Sequence, residues 1–80
     1  MRQEILARIN INKEVCNGKP CIKGTRIMVT NILSLMAGGY DFSRILDYYP
    51  ELSKEDVKAA MEYVLESIEG EEVRLLQTSL

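Results

Sequence analysis

Histidine and tryptophan are absent from this 80-residue chain, phenylalanine occurs once, and there are only two cysteines and two prolines. Without histidine the commonest general base and the commonest neutral metal ligand are both missing. Cys16 and Cys21 stand alone, with no second cysteine pair, so one copy of the chain cannot assemble a four-ligand zinc site. Neither a metal nor another cofactor is expected. No apolar run approaches the roughly 18 residues of a membrane span, and no charged-then-apolar leader is present. The expectation is therefore no membrane association, a cytoplasmic location and, with it, free thiols. A phosphate-binding loop needs G-x-x-x-x-G-K-[ST], whereas Lys23 here precedes its glycine, Gly24. No serine or cysteine has an evident activating partner, and Glu51, Glu55 and Asp56 gather where a helix start uses carboxylates for capping. No catalytic residue is assigned, and an enzyme is not expected.

Charge is unevenly spread. Residues 1–30 carry six cations against two carboxylates, a net of +4, while residues 31–80 carry four cations against ten carboxylates, a net of −6. Such a division suits two partners of opposite character, one of them a nucleic acid. With 46% apolar composition the chain is expected to form one domain. So short a chain buries only about 60% of its unfolded surface, which points to self-association as a source of stability.

Periodicity divides the chain into a basic extended part (residues 1–29), a bundle (30–69) and a tail (70–80). In "ARININ", Ile9 and Ile11 alternate with Arg8, Asn10 and Asn12, the period of a half-buried strand or arm. Such an arm has little else to pair with in this chain, so a homodimer is expected; a paired arm is also a secondary candidate for DNA contact through Arg8, Asn10 and Asn12. Residues 13–26 are rich in turn formers. Thr30 is a good N-cap for a first helix with Val29, Ile32, Leu33 and Met36 on one face, ending at Gly38 and Gly39. Asp41 caps a second helix carrying Phe42, Ile45, Leu46 and Tyr49, which Pro50 stops. Ser53 and Asp56 form a capping box for a third, with Val57, Ala60, Met61, Val64, Leu65 and Ile68 inward until Gly70. The fold class is thus mainly α: a tri-helical bundle with a short N-terminal strand. The aromatics at helical spacing, Tyr40, Phe42, Tyr48 and Tyr49, read as core rather than as a base-stacking platform.

Between strand and bundle lies "KPCIKGTR", residues 19–26. Pro20 and Gly24 constrain its path, Lys19, Lys23 and Arg26 project from it, and Thr25 adds a hydroxyl. One reading is a phosphate-contacting loop, with Arg26 capable of paired hydrogen bonds to phosphate or guanine. The other is that these cations pair with carboxylates of the acidic helices, in their own chain or in a dimer mate.

From "GKPCIKGTRIMV" through "ILDYYPEL" to "VKAAMEYV", residues 15–64 resemble the domain of unknown function 433 family. The signature falls on Gly18, Lys19, Pro20, Ile22, Lys23, Gly24, Thr25 and Arg26, then on Tyr49, Pro50 and Leu52, and then on Ala59, Ala60 and Tyr63. The resemblance implies a homeodomain-like helix-turn-helix fold and the role of a prokaryotic antitoxin that binds operator DNA and neutralises a PIN-like ribonuclease toxin. On that reading the DNA contacts are Lys19, Lys23, Thr25 and Arg26, joined by Lys54 and Lys58 of the third helix. That helix departs from a DNA-reading helix in carrying Glu55, Asp56, Glu62, Glu66 and Glu69. The tail residues Val73, Leu75, Leu76 and Leu80, flanked by carboxylates, suit either a basic nuclease cleft or packing against their own bundle or a dimer mate. A different class of function, a module that binds a protein partner without DNA, fits the same acidic surface.

Overall fold

The computed structural model describes the backbone of residues 3–78 and the side chains of residues 3 and 5–69. In chain order it contains α1 (Gln3–Arg8), β1 (Ile9–Asn10), β2 (Cys21–Ile22), α2 (Val29–Ala37), α3 (Phe42–Tyr48) and α4 (Lys54–Thr78). It is the mainly α architecture expected, with a tri-helical bundle of α2, α3 and α4 and a small antiparallel sheet near the N-terminus.

The first departure lies in the basic part. Residues 3–8 are helical rather than extended, and α1 packs against α4 with Ile5 wholly buried. A helix this short is marginal in isolation, so burial against α4, not local propensity, holds it. Only Ile9 and Asn10 are strand, paired in register with Ile22 and Cys21. Ile9 is buried while Ile11 is exposed. The strand therefore finds its partner within the chain, which removes the unpaired arm as a reason to expect a dimer.

On its other edge β2 meets Met28 through a bridge from Cys21, and Ile22 N–H donates to Ile27 O at 2.9 Å. This run also moves the start of α2. The helix begins at Val29 with Met28 as N-cap, two residues before the expected cap, Thr30. Asn31 Oδ1 accepts from Met28 N–H at 2.8 Å, and the Pro20 carbonyl accepts the otherwise orphaned N–H of Val29 at 3.0 Å. Val29 and Ile32 are buried, with Leu33 and Met36 packed beside them.

The remaining junctions follow the expected signals. Gly39, rather than Gly38, takes the left-handed conformation at φ +94° beyond α2. Asp41 Oδ1 accepts from Arg44 N–H at 3.0 Å to cap α3. Residues 49–52 form a turn closed by Leu52 N–H to Tyr49 O at 3.0 Å, with Pro50 at its second position, where a fixed φ suits the backbone, and Leu52 buried. The capping box is present: Ser53 N–H donates to Asp56 Oδ2 at 2.9 Å and Asp56 N–H to Ser53 Oγ at 3.2 Å.

Ile5, Ile22, Ile32, Ile45 and Val57 are buried at the centre, one from each of α1, β2, α2, α3 and α4. Burying each contributes about 1.5–3 kcal/mol. Ala59 and Ala60, also buried, keep that face of α4 low. Tyr40 and Tyr49 pack on the core as expected, but Tyr48 and Phe42 are exposed. Helix α4 does not stop at Gly70. A glycine inside a helix costs about 1 kcal/mol relative to alanine, and the good helix formers of "EEVRLLQT" on its far side carry the helix to Thr78. Val73, Leu75 and Leu76 thus lie within α4, with their side chains outside the described set, and Leu80 lies outside the described residues.

Candidate nucleic-acid interface

The loop between Ile22 and Ile27 is a tight reversal. Thr25 N–H donates to Ile22 O at 3.0 Å, and Gly24 takes φ +79° at the third position, where a side chain would be strained. The Thr25 hydroxyl donates to the same carbonyl at 2.8 Å and accepts from Ile27 N–H at 3.0 Å. The expected phosphate-contacting hydroxyl is therefore engaged in closing its own turn. From the second position of the turn, Lys23 N–H donates to the carbonyl of Arg8 at 2.9 Å, tying the loop to the end of α1.

Ahead of β2, Cys16 and Asn17 both take left-handed backbone, at φ +54° and +55°. For cysteine that conformation costs about 1–2 kcal/mol. Lys19 N–H donates to Cys16 O at 3.0 Å, and the Cys16 thiol points to Arg26 O at 3.5 Å. Both thiols are free. Burial, then the neighbouring Cys16 thiol, push the Cys21 thiol up from its ordinary value, against a smaller opposing pull from Arg26.

Lys19, Lys23 and Arg26 are exposed on this clamped backbone. Among the described residues none of them makes an ion pair or side-chain hydrogen bond. Within one copy of the chain, then, they do not pair with any described helix carboxylate. Arg26 and Thr25 border a shallow recess of about 350 Å³ shared with Asn10, Val15 and Gly24.

The start of α4 treats charge differently. Arg8 Nη1 meets Asp56 Oδ1 at 2.9 Å, a link across the fold that no local sequence signal announces. Burial works against the Asp56 charge, but the Ser53 backbone N–H, the Arg8 guanidinium and the Ser53 hydroxyl outweigh it and hold the carboxyl below its ordinary value. Arg8 is thereby committed inside the fold. Asn12 likewise uses its Oδ1 to accept from Glu14 N–H at 2.9 Å, so Arg8, Asn10 and Asn12 do not stand together as a strand-borne DNA surface. Lys58 lies 4.0 Å from Glu62 and shares a cleft with Arg8, Glu55 and Ala59, while Lys54 is exposed at the helix start. The two α4 lysines thus stand among carboxylates, unlike the three loop cations. Elsewhere, Arg44 stacks 4.1 Å over the Tyr40 ring beside the exposed Tyr48.

Comparison with known proteins gives these features a family but not a function. A crystal structure at 2.00 Å of a DUF433 member from Anabaena variabilis ATCC 29413 is similar over 95% of this chain and 86% of that one, with a TM-score of 0.73 and 25% identity. The uncharacterized protein y4eO of Sinorhizobium fredii (strain NBRC 101917 / NGR234) is 27% identical over 55 residues, which is 69% of this chain but only 25% of that relative's length. Residues 9–64 match the family described as "Protein of unknown function (DUF433)". That span runs from β1 through the loop and bundle into α4 and exceeds half the chain, so the protein belongs to the DUF433 family.

Proposed function

We propose that this chain is a non-enzymatic, antitoxin-like DNA-binding regulator that contacts operator DNA through the loop of residues 19–26. The observation that carries this reading is a division of labour. Gly24 sets the turn, Thr25 closes it, Ile22 anchors it in the core and the Pro20 carbonyl caps α2. Lys19, Lys23 and Arg26 have no such internal role, and a rigid backbone presenting unpaired cations suits phosphate oxygens. The remainder of the proposal, neutralisation of a PIN-like ribonuclease by the acidic α4 and its C-terminal residues Val73, Leu75, Leu76 and Leu80, draws on the family resemblance. A cytoplasmic homodimer completes it, since paired copies suit paired operator half-sites.

The test is DNA binding measured against salt. Replacing Lys19, Lys23 and Arg26 one at a time by alanine should weaken binding on every sequence tried and lower the salt slope by about 0.9 per lost contact. Unchanged slopes in all three variants would refute the loop as the interface. A second reading, a module that binds a protein partner without DNA, is favoured by Glu55, Glu62, Glu66 and Glu69 along α4, which oppose a phosphate backbone. Absence of DNA binding by the wild-type chain at low salt, with a nuclease still bound, would select it.

A further inference from the structure

A charge resting on a phosphate positions a protein on DNA without reading its sequence. Sequence is read at base edges, by polar side chains with hydrogen bonds to spare. Around the loop most such groups are already engaged. The Thr25 hydroxyl makes two bonds, Asn12 Oδ1 accepts from Glu14 N–H, and Asn31 Oδ1 accepts from Met28 N–H. Among the described residues the Asn10 amide makes no hydrogen bond.

Placement sets Asn10 apart. Its backbone is fixed opposite Cys21 in the β1–β2 pair, and alternation along β1 turns its side chain away from the face on which Ile9 is buried. There it is half-buried and lines the recess of about 350 Å³ with Val15, Gly24, Thr25 and Arg26. Asn17 likewise has an unused amide but does not line this recess. The recess is shallow, which suits the edge of a paired base rather than one swung out of the duplex. An asparagine amide matches adenine, since Oδ1 accepts from the adenine amino group while Nδ2–H donates to the ring nitrogen N7. Val15 gives the same recess an apolar wall for the methyl group of the thymine paired with that adenine. We infer that Asn10 is the base-reading residue of the loop interface and takes the major-groove edge of an A·T pair, while Lys19, Lys23 and Arg26 hold phosphates. This rests on the DNA-binding reading above and adds to it a source of sequence preference.

The test selects duplexes from a randomised library with the full chain and compares variants on the preferred site. That site should contain an A·T pair whose replacement by G·C weakens the wild type about tenfold. Asn10→Ala should lose a similar factor there and lose the preference, yet keep its salt slope and bind unselected DNA as the wild type does. Asn10→Asp keeps the shape but not the donor, and should move the preference toward cytosine, whose amino group a carboxylate accepts. Putting 7-deazaadenine at the selected position removes N7, which should weaken the wild type and leave Asn10→Ala unaffected. Either variant retaining the wild-type preference overturns the inference, as do losses that simply add when residue and base are changed together. A wild type with no sequence preference also overturns it, while salt slopes that still fall in the Lys19, Lys23 and Arg26 variants leave the phosphate contacts standing. A wild type that binds no DNA at low salt overturns both.

Discussion

The loop of residues 19–26 and the start of α4 are neighbours joined through Arg8, and they handle charge in opposite ways. At the helix start Asp56 serves the capping box and Arg8 at once and Lys58 approaches Glu62, while Lys54 stays exposed. In the loop the backbone and the Thr25 hydroxyl do the structural work, and among the described residues the charged ends of Lys19, Lys23 and Arg26 pair with nothing. Charge spent on folding and charge held out to solvent can thus be told apart by asking which groups have partners, although in the sequence both appear only as lysine, arginine and aspartate. Substitutions in the two regions should therefore register in different measurements.

The largest effect is expected from Asp56→Ala, which removes the capping box and leaves Arg8 unpaired. A loss of about 2 kcal/mol should lower Tm by roughly 8–16 °C for a chain of this size. DNA affinity, corrected for unfolded protein, should stay as it was. A variant that melts like the wild type would show that the Ser53–Asp56–Arg8 network contributes nothing to stability.

Gly24→Ala lies between the two regimes. Its φ of +79° falls where a side chain is strained, although nothing within 4 Å blocks a Cβ. The cost should be about 1 kcal/mol, and DNA binding should weaken with it because the loop loses its shape. If affinity is retained while stability falls, the loop's conformation is irrelevant to recognition.

A smaller effect sharpens the first. The Asp56 carboxyl is held below its ordinary value, so the folded form takes up its proton less readily than the unfolded chain. The stabilisation is whole above the ordinary carboxylate range and is lost as pH falls through that range and below it. Urea denaturation of wild type and Asp56→Asn should accordingly show a gap that is widest near neutrality and narrows in acid. A gap independent of pH would mean that the charge on Asp56 is not what stabilises.

Lys19→Ala, Lys23→Ala and Arg26→Ala complete the contrast with the smallest stability changes, each within about 0.5 kcal/mol. Thermal melts decide this independently of any DNA measurement. Arg26→Ala melting several degrees lower would return that residue to a structural role.

Much of the bundle was legible because its signals are local. The capping residues Asp41 and Ser53, the turn at Pro50 and the apolar spacing in α2 and α3 all act within a few residues of where they stand. Helix α1 was not legible: six residues give too little period to read, and the alternation from Arg8 to Asn12 imitates a strand. The N-cap at Met28 depends on Pro20 and on the β2 pairing, so Thr30, the better cap by composition, lost to tertiary structure. Gly70 is a stop signal that its helix-forming neighbours override. In the candidate site, the loop and its cations stood out in the sequence, but the closure of the turn by Thr25 and the withdrawal of Arg8 to Asp56 join groups that only the folded chain brings together.

Arg8 also has a consequence for motion. Its carbonyl holds the Lys23 amide and its guanidinium holds Asp56, each at 2.9 Å. The loop and the first turn of α4 therefore hang from one residue and should open as one cooperative unit. Solvent exchange of the Lys23 amide hydrogen should then report on the fraying of a helix far downstream in the chain, and anything that grips the loop should slow exchange at the start of α4 without touching it.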